Sequence, residues 1–315
     1  MLRQEVGTTP SMGSMDQRLM LVHAHPDDET IGQGATMASY VARGTQVTLV
    51  TCTLGEEGEV LVPELEHLAA DRDDLLGQHR ITELAAAMKE LGVTDHRFLG
   101  GAGRFRDSGM AWDENHHAVA RDQVRDDTFW KADLLEASVL LVEIIREVRP
   151  QVLVTYDQFG GYGHPDHVQA HRVATYATAL AAVPSFRPEL GPAWDIAKVY
   201  WGAMSSNRMR EGLRALRAAG DTTSFEGMDP EGALPPFMVP DEQLSAVVVA
   251  DDYADAKMRA MGAHATQITL DGPFFALSNN LGDKVWGTEF FRLAKGTQGP
   301  TNDDGLETDL FAGID

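Results

Sequence analysis

The apolar run Leu19-Met20-Leu21-Val22 stops abruptly at His23-Ala24-His25-Pro26-Asp27-Asp28-Glu29, and a helix-like pattern begins at Ile31. The run reads as a buried strand and the break as its carboxyl end. An open α/β sheet keeps its ligand site at that edge, so this one stretch points to a Rossmann-like sheet with a site at the tip of its first strand. His25 and Asp28 lie three residues apart, with Pro26 fixing one dihedral between them. Both side chains can therefore converge on one cation, with Asp27 beside it. A neutral imidazole and a carboxylate suit zinc or another divalent transition metal, Fe2+ included, and a further carboxylate can serve as a base toward water. The same acidic residues would also suit a simple helix start, so a partner site is needed to decide.

That partner follows the fourth predicted strand. Further strands are expected at Gln46–Thr51, His96–Leu99 and Val152–Tyr156, separated by helical patterns over Gly32–Arg43, Asp73–Leu91 and Leu134–Arg149. Directly after Tyr156 comes Asp157-Gln158-Phe159-Gly160-Gly161-Tyr162-Gly163-His164-Pro165-Asp166-His167, then a helix from Val168 to about Ala182. In a doubly wound sheet of order 3-2-1-4-5, strands 1 and 4 flank the switch point, so both His-Pro-Asp turns open into one crevice. His25, Asp28 and His167 can then supply three ligands and leave one position open, the arrangement of a catalytic rather than a structural metal.

The rest of the chain sets the organisation. Residues 1–17 read as a loose extension, 18–185 as the Rossmann-like metal-dependent domain, and 186–315 as a smaller C-terminal α+β part covering the crevice. The acidic loop Leu54–Glu59 sits at the same sheet edge as His25, as a solvated turn or with a direct role. The long loop from Gly100 to about Asp127 reads as a lid or binding loop, with His116 and His117 solvated on it. The Pro/Gly-rich stretch 220–240 is expected to loop over the crevice, His264 to cap a helix over Tyr253–Ala263 or to reach the pocket, and the tail after Gly296 to be polar and poorly packed, with Leu310 and Phe311 as its docking residues.

Composition excludes several partners. Acidic residues outnumber basic ones 48 to 26, a formal charge of −22, which opposes nucleic acid, anionic membrane or polyanionic substrates. Cys52 is the only cysteine, so an intramolecular disulfide and a four-cysteine zinc site are both excluded, and its place in an apolar strand reads as inert core. No apolar run has the roughly 18 residues of a membrane span and no signal pattern opens the chain, so the cytoplasm is the expected location. The turn after strand 1 lacks the Gly-x-Gly-x-x-Gly of dinucleotide sites, and no Gly-x-Ser-x-Gly elbow is present.

Ala24-His25-Pro26-Asp27-Asp28-Glu29 together with His164-Pro165-Asp166-His167 resembles the signature of the zinc-dependent PIG-L (LmbE-like) deacetylases, related to N-acetylglucosaminyl-phosphatidylinositol de-N-acetylase. Val50–Val60, Leu99–Met110, Gly160–His164, Ala263–Gln267, Ala276–Asn280 and Glu307–Leu310 are similar to the actinobacterial, mycothiol-pathway branch of that family, so the likeness spans most of the chain from Leu19. It implies hydrolysis of the acetamide of a small amino-sugar inositol, with Zn2+ held by His25, Asp28 and His167. It also implies Asp27 as general base and Tyr162 as the group polarising the carbonyl. His164 would protonate the leaving amine or stabilise charge, with Asp166 orienting it. Arg80 and Asp107 would hold sugar and inositol hydroxyls, and Met110 would form a pocket wall. A mycothiol S-conjugate amidase looks similar around both turns, but Thr30-Ile31-Gly32-Gln33 lacks the lysine of the amidases and Tyr162 is followed by Gly163 rather than proline. A catalytically dead sugar- or metal-binding protein on the same fold is the reading from another class; the presence of every expected ligand and base counts against it.

Overall fold

The computed structural model describes residues 16–114, 118–269, 272, 275 and 286–314. Its centre is a sheet in which β1 (Arg18–His23) pairs in parallel with β2 (Gln46–Thr51) on one side and β6 (Val152–Thr155) on the other. β3 (Asp95–Phe98) continues beyond β2, and β7 (Lys198–Ser205) continues beyond β6, both in parallel. These five strands have the 3-2-1-4-5 order expected, so the carboxyl ends of β1 and β6 lie side by side. Both faces of the central strands are buried, as a parallel sheet covered by helices requires. Leu19, Leu21, Val47 and Leu49 pack toward α1 (Asp28–Ala42) and α2 (Leu76–Leu91). Met20, Val22, Val50 and Leu153 pack toward α3 (Leu134–Val148) and α4 (Pro165–Ala181).

The division expected at residue 185 falls inside this sheet. β7 lies in register with β6 from Val152↔Lys198 to Thr155↔Trp201, and β10 (Thr288–Lys295) and β9 (Ala246–Val249) extend the same sheet antiparallel, with β8 (Met238–Val239) on β7. Phe291 of β10 is fully buried in the same cluster as Leu19 and Leu21. The C-terminal half is thus mainly an extension of the sheet, with α5 (Ser206–Ala218) and α6 (Ala254–Ala263) attached, because its strand edges complete ladders rather than form a separate core. The tail is also better packed than its polar composition suggests. Glu307 is fully buried and accepts from Lys198 Nζ and Tyr200 Oη, while Leu310 and Phe311 dock into the core. The 100–127 loop carries a short antiparallel pair, β4 (Ala111–Trp112) with β5 (Ala118–Val119); His116, His117 and the 276–280 stretch lie outside the described residues.

α1 starts at Asp28, before the expected helix, and breaks its regular geometry at Gln33 (φ −135°). The N–H groups of Ala35 and Thr36, freed by that kink, are taken by the two carboxylate oxygens of Glu289 at 3.0 and 2.8 Å. Lys257 of α6 neutralises Glu289 at 2.7 Å, and both side chains are buried. Glu289→Ala should therefore cost about 3–5 kcal/mol in urea unfolding, since it strands a buried ammonium and two N–H groups. A loss under ~1 kcal/mol would show that the pair is solvated.

Candidate metal and catalytic centre

Three donor atoms converge where β1 and β6 end. His25 Nδ1 lies 3.2 Å from Asp28 Oδ2, His167 Nε2 lies 3.3 Å from His25 Nδ1, and His167 Nε2 lies 3.3 Å from Asp28 Oδ2. Ligands bound tetrahedrally at about 2.0–2.2 Å are separated by about 3.3–3.5 Å. The triangle therefore matches one face of a tetrahedral site, and two imidazoles with a carboxylate suit a divalent transition metal. Two other groups of candidate ligand atoms, His25-His164-His167 and His25-Asp107-Asp166, lie within 4.8 Å of one another. In the second, the carboxylates already face the opposite nitrogen of His25, so they buttress the first triangle.

That opposite nitrogen, Nε2, lies 3.3 Å from Asp166 Oδ2 and 3.4 Å from Asp107 Oδ1. Burial alone would lower the His25 pKa, but Asp107, Asp166 and Asp28 carry it well above the ordinary value. A proton on Nε2 leaves Nδ1 free to ligate, with a carboxylate fixing the tautomer. Asp166 is itself held by Ser108, whose N–H donates at 2.8 Å and whose hydroxyl also donates. The Asp166 carboxylate thus serves His25, where the sequence pointed to His164. Only its backbone reaches His164, donating N–H to Nδ1 at 3.1 Å across the start of α4. This acceptor role puts the His164 proton on Nε2. Burial, with His25 and His167 nearby, holds the His164 pKa well below the usual value.

Asp27 occupies φ 110°, ψ −35°, a conformation few non-glycine residues adopt. Its N–H donates to Glu29 Oε2 at 3.0 Å, and its carboxylate takes Arg80 Nη2 at 3.0 Å. Burial pushes the Asp27 carboxyl up to about 6, against the pull of Arg80. Arg80 is 2% exposed and also donates to Gly55 O at 2.9 Å and to Pro26 O. Gly55 is needed there, since a Cβ would lie 2.0 Å from Arg80 Nη1. Arg80 borders the cavity, but the hydrogen bonds it makes fix the turn and Asp27. Asp107 is similarly engaged, accepting from Gly109 N at 2.8 Å and Glu57 N at 3.1 Å.

His264 does more than cap a helix: its Nε2 lies 3.0 Å from Glu29 Oε1, with both side chains fully buried. Glu29, Ser108 and Tyr156 make contacts at this site to which the sequence reading assigned no role. Each had a signal of place, Glu29 at the end of the first motif, Ser108 within Leu99–Met110 and Tyr156 just before the second turn, but none of its contact. The acidic loop is not merely solvated, for Glu57 is clamped by Arg106 at 2.8 Å and Arg121 at 2.7 Å. The cavity over the triangle has a volume of about 340 Å³ and is bordered by Asp27, Arg80, Asp107, Met110, Arg121, Tyr162, His164 and Gln267. Among the described residues after 185, Gln267 borders this cavity. The Tyr162 ring centroid lies 5.1 Å from that of His167, and a phenol keeps its proton near neutral pH.

Cys52 lies under the site, 2% exposed, with burial pushing its thiol pKa up. It should resist an aromatic disulfide reagent in the folded protein and react fully once denatured. Rapid native labelling would contradict that packing.

With this geometry in view, the likenesses can be read. Residues 20–178 match the PIG-L family model, GlcNAc-PI de-N-acetylase. A 1D-myo-inositol 2-acetamido-2-deoxy-alpha-D-glucopyranoside deacetylase from Nocardioides sp. (strain ATCC BAA-499 / JS614) is 72% identical, covering 96% of this chain and 100% of its own. One of the same name from Streptomyces avermitilis is 56% identical, covering 95% and 98%. Among solved structures, N,N'-diacetylchitobiose deacetylase from Pyrococcus horikoshii superposes with a TM-score of 0.58 at 19% identity, covering 89% of this chain and 84% of that one. A deacetylase of teicoplanin biosynthesis gives 0.52 at 20%, covering 89% and 100%. These two share the fold. A model matching just over half of the chain, and relatives this similar over nearly all of it, establish that the chain belongs to the PIG-L family of de-N-acetylases.

Proposed function

We propose that this chain is a zinc-dependent amidohydrolase that converts N-acetylglucosaminyl-inositol and water to glucosaminyl-inositol and acetate, a step of mycothiol biosynthesis carried out in the cytoplasm. The observation that carries the reading is the triangle of His25 Nδ1, Asp28 Oδ2 and His167 Nε2 opening into a cavity beside the Asp27 carboxylate. The cavity lies within the size range of small-ligand sites. The names of the relatives at 72% and 56% identity support the substrate. No described helix is long and apolar enough to cross a membrane.

Bound at the triangle, zinc would supply a Lewis acid for water and for the acetamide carbonyl. The rest falls to the chain. Asp27, held by Arg80 and by the Glu29 contact to its own N–H, takes the proton of the attacking water. Tyr162, still protonated, is the donor for the charge that develops on the carbonyl oxygen, an effect worth about 3–4 kcal/mol for one well-placed donor. As the C–N bond breaks, the proton taken up by Asp27 passes to the departing nitrogen, and His164, neutral with its proton on Nε2, donates a hydrogen bond to the charge that develops beside it. Asp166 and Asp107 orient His25 from behind, while Met110 and Arg121 shape the far wall.

Primary-amine release from N-acetylglucosaminyl-inositol, run beside cleavage of a mycothiol S-conjugate and a metal-stripped control, tests the reading. Zinc-dependent preference for the first substrate is expected; preference for the conjugate would make the protein an amidase, and silence on both a binding protein. Asp27→Asn should keep zinc yet lose at least ~10² in turnover. His167→Ala should lose the metal itself, read by elemental analysis. Near-normal turnover of the Asn variant would remove Asp27 from the role of base.

A further inference from the structure

Tyr156, the residue just past the end of β6, touches two of the three proposed metal ligands at once. Its hydroxyl lies 2.7 Å from Asp28 Oδ2, and its ring stacks on that of His167 with centroids 4.3 Å apart and planes 18° from parallel. The same oxygen receives the Ala24 N–H at 2.9 Å and lies 3.2 Å from His23 Nδ1. These contacts fix the protons. An ionised carboxylate is an acceptor only, so the single phenolic hydrogen must point at Asp28. Ala24 N–H occupies one lone pair of the phenol. His23 Nδ1 must then carry a hydrogen and donate to the other. The hydroxyl is saturated, with two donors directed in and one directed out, and it has no freedom to turn away from Asp28. The His23 ring meets the Tyr156 ring edge-on at 5.2 Å, which braces it from the side opposite the cavity.

We infer that Tyr156 is a positioning residue for the metal site, its hydroxyl aiming the Asp28 carboxylate and its ring setting the plane of His167, with His23 and the Ala24 N–H locking the phenol in place. The inference rests on the metal site proposed above. The division of labour is complementary: Asp166 steadies His25 through its far nitrogen, and Tyr156 steadies the other two ligands. Ligand orientation from behind in this way typically governs metal affinity by 10–100-fold.

The test is zinc affinity of the full chain, measured by competition with a chromophoric chelator. Tyr156→Phe keeps the ring on His167 and removes only the donor, and should weaken zinc binding about 10–100-fold. At saturating zinc its KM should stay within a few-fold of the parent, because the residue does not border the substrate cavity. His23→Ala leaves the Tyr156–Asp28 bond in place and should retain affinity closer to the parent than Tyr156→Phe does. If the apo variants are too unstable for titration, the zinc-induced rise in melting temperature gives the same ranking. Unchanged zinc affinity in Tyr156→Phe would overturn the inference, as would an equal loss in His23→Ala, which would indicate general loosening. Failure of the parent protein to bind zinc would instead remove the metal-site reading itself.

Discussion

Asp27 is held at φ 110°, ψ −35°, and much of the surrounding structure serves to keep it there. A strained backbone persists only where its neighbours over-determine it. Here Glu29 takes its N–H, Arg80 takes its carboxylate, and its own carbonyl receives the N–H groups of Thr30 and Ile31 as α1 begins. The same twist that strains Asp27 sends its side chain one way while Asp28, the next residue, faces the two histidines. One local distortion therefore separates an acid that faces the histidines from an acid that faces Arg80 within two residues.

The second constraint is charge. Asp27, Asp28, Glu29, Asp107 and Asp166 lie within a few residues or hydrogen bonds of one another, and most are buried. Buried charges require partners. Arg80 answers Asp27 and His264 answers Glu29; His25 faces Asp28, Asp107 and Asp166 together. Two imidazoles, His25 and His167, among three carboxylates leave the group short of positive charge, a shortage that a divalent cation at the triangle would offset. The donor distances and the charge balance thus support the same occupant.

The parallel half of the sheet, its order and the meeting of two His-Pro-Asp turns were legible because period, turn chemistry and topology act on neighbouring residues. What the sequence hid was mostly long-range. Asp166 reads as a partner for His164, two residues away, yet its carboxylate turns to His25, because the first turn of α4 aims it across the crevice. His264 at a helix end reads as a cap until the fold sets it against Glu29. Arg80 reads as a substrate contact; it borders the cavity, and its guanidinium also holds the turn through Gly55 and Pro26. Tyr156 looks like any strand-end tyrosine, since nothing in the sequence shows that its hydroxyl reaches Asp28, 128 residues away. That the C-terminal strands continue the same sheet was hidden for the same reason: strand pairing between residues some 90 apart, as for Ala203 with Phe290, leaves no short-range pattern.

The kink in α1 has a consequence for the order in which the protein comes into being. The helix that begins at Asp28 has its second half capped by Glu289, and the glutamate that steadies Asp27 is paired with His264. On a ribosome, the first strand and both histidine turns emerge long before those partners do. The early chain carries the ligand residues without the contacts that aim them. Metal acquisition is therefore expected to be a late event, completed when β10 closes on the finished sheet.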